Sequence, residues 1–300
     1  MKKILISALL LCSGAMAYAQ LLNVQSIEKV VLPEGVTVGS ATISPNGDFV
    51  VISQNETSGI HRLDLATKSV TTISQTGIPH EVKISNDGST VVFKEPRINA
   101  NRMRQIALKS FDLNRNVEST IVPFCRDLQG VALIDNNVVA VNTDKLTAKT
   151  LDGAEAKVTM PVASIKYGQL CIDGKVISPQ GTTGNSYLWP SVSPDGTRVL
   201  YFLATRGCFV CNIDGSNPVR LGSLHAPRWY DNNTIIGMYD RDNGHEIYAS
   251  RIVAISADGK VKQNLTEDAS LALFPTTTEA GDKISYTTPA GELYIINITR

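Results

Sequence analysis

The sequence predicts an all-β, six-bladed β-propeller, and two observations carry that prediction. The first is an internal repeat. SPNGDFVVIS (44–53) returns as SNDGSTVVF (85–93) and as SPDGTRVLYF (193–202). In each copy an Asn-Gly or Asp-Gly pair stands just ahead of a β-branched and aromatic run, a hairpin signal because such turns need residues that tolerate positive φ. Weaker copies follow the same register: LIDNNVVAV (133–141), WYDNNTIIGM (229–238) and TTEAGDKISY (277–286). Six hairpins spaced about 37 to 59 residues apart imply a repeat architecture. The second observation is a further strand-like pair after each hairpin, as in IHRLDL and SVTTIS (60–74) or CFVCNIDG and VRLG (208–222).

Taken in order, the chain begins with an address. Lys2 and Lys3 precede an apolar stretch over 4–11 and an Ala17-Tyr18-Ala19 cleavage site, the signature of a signal peptide over 1–19. Leu11 ahead of Cys12 argues against a lipid anchor there. The expected mature protein, 20–300, is one domain, periplasmic or secreted. Removing Lys2 and Lys3 leaves 26 basic against 28 acidic residues. That balance excludes a nucleic-acid partner, and no run is apolar enough for a transmembrane segment. A monomer is expected.

Segment 23–33 matches the outer strands in pattern, while the last unit ends after ELYIINITR (292–300), one strand short. Pairing the two closes the ring and removes the exposed sheet edges. The third unit is irregular: its hairpin and its second pair (GQLCIDGKVIS, 168–178) are separated by segment 144–163. That spacer is either an insertion or a further blade, so seven blades is the alternative.

Four cysteines follow the leader: Cys125, Cys171, Cys208 and Cys211. The Cys208-x-x-Cys211 pair lies in a strand pattern, where residues three apart point to opposite faces. Small buried hydrophobes are therefore expected rather than a metal or redox site.

At its hairpins the chain resembles the TolB-type β-propellers, built from WD40-like repeats with a Ser-Pro-Asp-Gly turn. Ser193-Pro194-Asp195-Gly196 matches that turn fully, and 44–47 and 85–88 match with one change each. The resemblance covers the chain after the leader. Complete TolB proteins carry a separate N-terminal domain, and about twenty residues separate Gln20 from the first blade here. The turn is structural, so the resemblance speaks to fold more than to activity.

Propeller function concentrates on loops around one mouth of the central channel. Aligning the blades on the hairpin serine sets Lys83 and Arg228 two residues before it, and His80 and His225 five before it. In a six-bladed ring these pairs face one another across the channel, suited to grip a small anionic ligand; solvated loop side chains are the plain alternative. Arg97, in the Arg- and Asn-rich segment 94–105, and Trp189 and Phe274, each just before a proline, suit protein or glycan recognition. Capping of the inter-blade core is the plain alternative for the two aromatics. His61, His80, His225 and His245 all map to this face, yet their spacing is no ligand motif. No catalytic residue, metal or cofactor is assigned. Nucleophile elbows, HExxH and phosphate-binding loops are missing. The leading expectation is a non-enzymatic module binding an envelope protein or a small anionic or glycan ligand. The alternative is a metal-dependent carbohydrate-active lyase or hydrolase using the histidine face, since some related propellers are metal-dependent lyases.

Overall fold

A computed structural model of the chain describes residues 20–54, 59–78, 82–134, 136–142 and 145–299. The leader predicted over 1–19, the Cys12 question and His80 lie outside the described residues. Seven antiparallel sheets follow one another, each running from an innermost to an outermost strand. Blade 1 spans 40–74, blade 2 83–125, blade 3 128–150, blade 4 163–176, blade 5 187–222, blade 6 225–264 and blade 7 273–299. Blades 1, 2, 5 and 6 are four-stranded, and blades 3 and 4 have three strands each. Blade 7 adds a fourth strand from far away in sequence: Asn23–Lys29 pairs antiparallel with Leu293–Thr299, setting Ile27 opposite Ile296.

Seven blades, not six, is a correction with a local cause. The irregular third unit is two blades. Its hairpin, Leu128–Ile134 with Asn137–Asn142, is completed by Lys145–Thr150 from within the spacer. The second pair belongs to a new hairpin, Ala163–Lys166 with Gln169–Ile172. That hairpin turns on Tyr167 and Gly168, both at positive φ, the two-residue turn that fits the strand twist. It carries no anchoring serine and no long β-branched run, so the repeat signal is silent there.

The packing follows the same count, with one apolar cluster at each blade junction. Val30, Val38 and Ile43 meet Leu293 and Ile295 between blades 7 and 1. Phe49, Ile60, Val91 and Phe93 fill the junction of blades 1 and 2. Leu200, Val210, Ile235 and Val253 fill that of blades 5 and 6. The smallest cluster, Val139, Val141, Ala148 and Val162, lies between blades 3 and 4. Blades present both faces to neighbours, which is why their second strands read as unbroken apolar runs such as Phe49–Ser53, buried throughout. Cys208 belongs to the blade 5–6 cluster and Cys211 to that of blades 4 and 5. The two thiols therefore point to opposite faces, and none of the four cysteines is in a disulfide.

The recurrent hairpin serine is a fastener. Ser193 Oγ donates to Asp195 at 2.6 Å and accepts from the Arg198 amide at 3.0 Å, tying the turn to its returning strand. Ser44, Ser85 and Thr278 do the same with Asp48, Asp87 and Asp282. The loop is thus longer than a two-residue turn. Its glycine closes a Ser44–Gly47 bond at positive φ, where a side chain is strained. All four anchors are buried. On the same rim Asn232 accepts from the Asp195 amide, and Asn136 from that of Asn86, linking each turn to a neighbouring blade.

Candidate functional site

The innermost strands of blades 5, 6 and 7 share an irregularity at one aligned place. Register slips between Leu188 and Ser191, between His225 and Arg228, and between Leu273 and Thr276. At each slip one residue is left-handed: Trp189 at φ 49°, Ala226 at 44° and Phe274 at 54°. Proline follows each of them (Pro190, Pro227, Pro275). Proline cannot donate to the ladder, so the bulge forms where its amide is not needed. A left-handed non-glycine residue costs roughly 1–2 kcal/mol, and the restriction before proline adds to it. The return is that two large rings are carried outward: Trp189 is 51% exposed and Phe274 36%.

Trp189 reaches over the next blade. Its ring lies 5.1 Å from that of Phe202 and meets the His225 imidazole edge-on at 6.1 Å, while Phe202 and His225 are 5.3 Å apart. His225 Nδ1 is 2.6 Å from Asp240 Oδ1. Asp240 sits on strand Thr234–Asp242 of the same blade with its side chain 9% exposed, whereas His225 is 34% exposed. A buried carboxylate needs a hydrogen-bonded partner, and His225 supplies it. The hydrogen bond that His225 donates to Asp240 raises the His225 pKa, with the charges of Asp240 and Asp242 adding and burial opposing. With Nδ1 engaged, Nε2 is the nitrogen left for a ligand. Two rings, a protonatable imidazole and an acid thus form one cluster at the junction of blades 5 and 6.

Of the residues singled out from sequence, Trp189 and His225 come together here. The aromatic does not merely cap the core, since half of its surface stays open. Phe274 occupies the equivalent place two blades on. Lys83, half-buried, and Arg228, exposed, lie on the innermost strands of blades 2 and 6. Counting 2–1–7–6, they stand three blades apart, so the direct opposition expected of a six-bladed ring becomes an offset one. Arg97 stays apart, on the long hairpin of blade 2, where its guanidinium covers Phe124 at 3.8 Å and its Nε donates to Gln105.

The described histidines do not converge. His61 Nδ1 lies 3.2 Å from Thr72 Oγ1 on blade 1, and His245 is exposed in the hairpin loop of blade 6. Among the described residues no three His, Cys, Asp or Glu side chains are grouped to hold a metal. A resident metal therefore has no fitting donor set among them. Sequence reasoning missed Phe202 and Asp240. The bulges, by contrast, carry a sequence signal: the triplets Leu-Trp-Pro, His-Ala-Pro and Leu-Phe-Pro, each proline three residues ahead of the hairpin anchor.

Fold and side-chain cluster together define a seven-bladed β-propeller with an exposed aromatic group at the junction of blades 5 and 6. Among solved structures it is similar to an oligogalacturonate lyase in complex with manganese, at 15% identity, TM-score 0.51, covering 89% of this chain and 79% of that one. It is also similar to a chain of the mitotic checkpoint complex, at 10% identity, TM-score 0.60, covering 99% and 100%. Identities this low show the fold alone. No protein-family model and no curated protein matches the sequence.

Proposed function

We propose that the protein is an exported carbohydrate-binding propeller that takes an acidic sugar at the junction of blades 5 and 6. The observation that carries this reading is Trp189, a half-exposed indole held outward by a strained bulge beside the His225–Asp240 pair. An exposed aromatic face suits the C–H face of a pyranose ring. A raised-pKa imidazole with Arg228 on the same strand suits a sugar carboxylate. Lys83 extends that positive lining from blade 2 and acts on small anions at longer range, an effect that salt weakens. Binding of an envelope protein through the same surface is the competing non-enzymatic use, and the exposed indole beside a charged pair favours the sugar.

Calorimetry with galacturonic acid, its oligomers and the neutral galactose series tests the reading. Binding of the acidic series that falls at least tenfold in Trp189→Ala, with galactose weaker, supports it. Wild-type protein that binds no saccharide overturns it.

The second reading, a metal-dependent lyase, draws support from the fold shared with an oligogalacturonate lyase bound to manganese. It needs a donor set that His80 would have to complete. Unsaturated uronate released from oligogalacturonate in the presence of Mn²⁺, and lost in His80→Ala, would establish it.

Two further parts belong to the same proposal. The leader is removed after Ala19, checked by N-terminal sequencing of the exported protein. The pairing of Asn23–Lys29 with Leu293–Thr299 is the clasp that keeps the ring shut.

A further inference from the structure

We infer that the sugar site spans blades 5 to 7 as a two-platform rail for an acidic oligosaccharide, with Trp189 and Phe274 as the stacking rings and Ala226 as the gap between them. This rests on the carbohydrate reading of that junction and extends it to chain length. Three consecutive blades build the same left-handed bulge before proline. Two of the three fill it with an exposed aromatic, and the middle one fills it with alanine.

The middle position is specific. Trp189 of blade 5 leans onto His225 of blade 6. Ala226 of blade 6 packs in turn against the cluster that holds Leu273 of blade 7. A ring at 226 would therefore cover the space between the Trp189 platform and blade 7. Alanine, half-buried against that cluster, puts no ring there. A single sugar needs only Trp189 and His225. A chain that continues past the gap reaches Phe274, so the ligand is an oligomer whose affinity rises with length until the second platform is filled. Ala226 is then the residue that admits a chain.

Titrating galacturonic acid and trigalacturonate into wild-type protein, Phe274→Ala and Ala226→Phe tests this, with thermal melts confirming each fold. Wild-type protein should bind the trimer more tightly than the monomer. Phe274→Ala should lose about three- to tenfold on the trimer, the effect of one aromatic contact, and nothing on the monomer. Ala226→Phe should lose more on the trimer than Phe274→Ala does. Equal trimer binding by wild type and Phe274→Ala overturns the rail while the single-sugar site stands. Wild-type protein that binds neither sugar overturns the carbohydrate reading and the rail together. If Ala226→Phe does not fold, Phe274→Ala decides alone.

Discussion

Blades 3 and 4 and blades 5 and 6 fill neighbouring arcs of one ring with very different means. The junction of blades 3 and 4 is closed by four buried apolar residues, and the outer strand of blade 4 is only Lys175–Val176, both exposed. The junction of blades 5 and 6 buries nine, among them Leu200, Leu224, Ile235 and Val253 at 0% exposure. The strained, ring-bearing bulges lie on the well-filled side. The left-handed residues of thin blade 4, Tyr167 and Asp173, stand in two-residue hairpin turns where that conformation is ordinary. Inside a strand it persists only where the surroundings over-determine it, and blades 5 to 7 supply that surrounding. The thin arc carries no such bulge before a proline.

That contrast can be broken in several places. The largest effect belongs to the clasp. Mature protein lacking residues 20–29 should melt more than about 10 °C lower, since each kcal/mol is worth roughly 2–4 °C at this size. An unchanged melt would show that the strand is ornamental. Next come matched truncations in the two junctions. Leu200→Ala should cost about 3–4 kcal/mol by denaturant titration, whereas Val139→Ala should cost about 2, having fewer atoms to lose. Equal costs would mean that the thin junction is no weaker than the thick one.

The fastener comes third. Ser193→Ala strands the Arg198 amide and should cost about 1–2 kcal/mol. Its counterpart in blade 4 does not exist, because the Tyr167–Gly168 turn makes no such bond. The smallest effect is electrostatic. Asp240 raises the His225 pKa, so the pair's contribution to stability is fully present below the ordinary histidine value and fades as pH rises through the raised one. Partial exposure holds that contribution below about 1 kcal/mol. Asp240→Asn should remove the pH dependence and bring the His225 titration, followed by NMR, back down.

The same contrast decides what could be read from sequence. Blades 1, 2 and 5 announce themselves because the buried serine, the acceptor carboxylate and the turn glycine must recur together to fasten a long hairpin. Blade 4 needs none of them, since a two-residue turn is held by the ladder alone, and its strands of four and two residues are too short to show a period. Trp189 and His225 were legible as a ring before proline and an aligned histidine. Asp240 was not, because it lies fifteen residues beyond His225 on another strand and meets it only through sheet register. Phe202 was hidden for the opposite reason, as one of several apolar residues in a run that otherwise faces the core.

The placement of Cys208 and Cys211 on opposite faces of one strand decides how the folded chain meets an oxidant. Thiol–disulfide exchange runs through the thiolate. Burial pushes both groups up to about 12, so very little thiolate forms at neutral pH. The unfolded chain has no such shield, and its two thiols, three residues apart, are open to oxidants and to one another. In an oxidising medium, folding therefore competes with oxidation of these thiols. Once the strand Gly207–Asn212 is docked between its neighbours, burial withholds both thiolates from an oxidant.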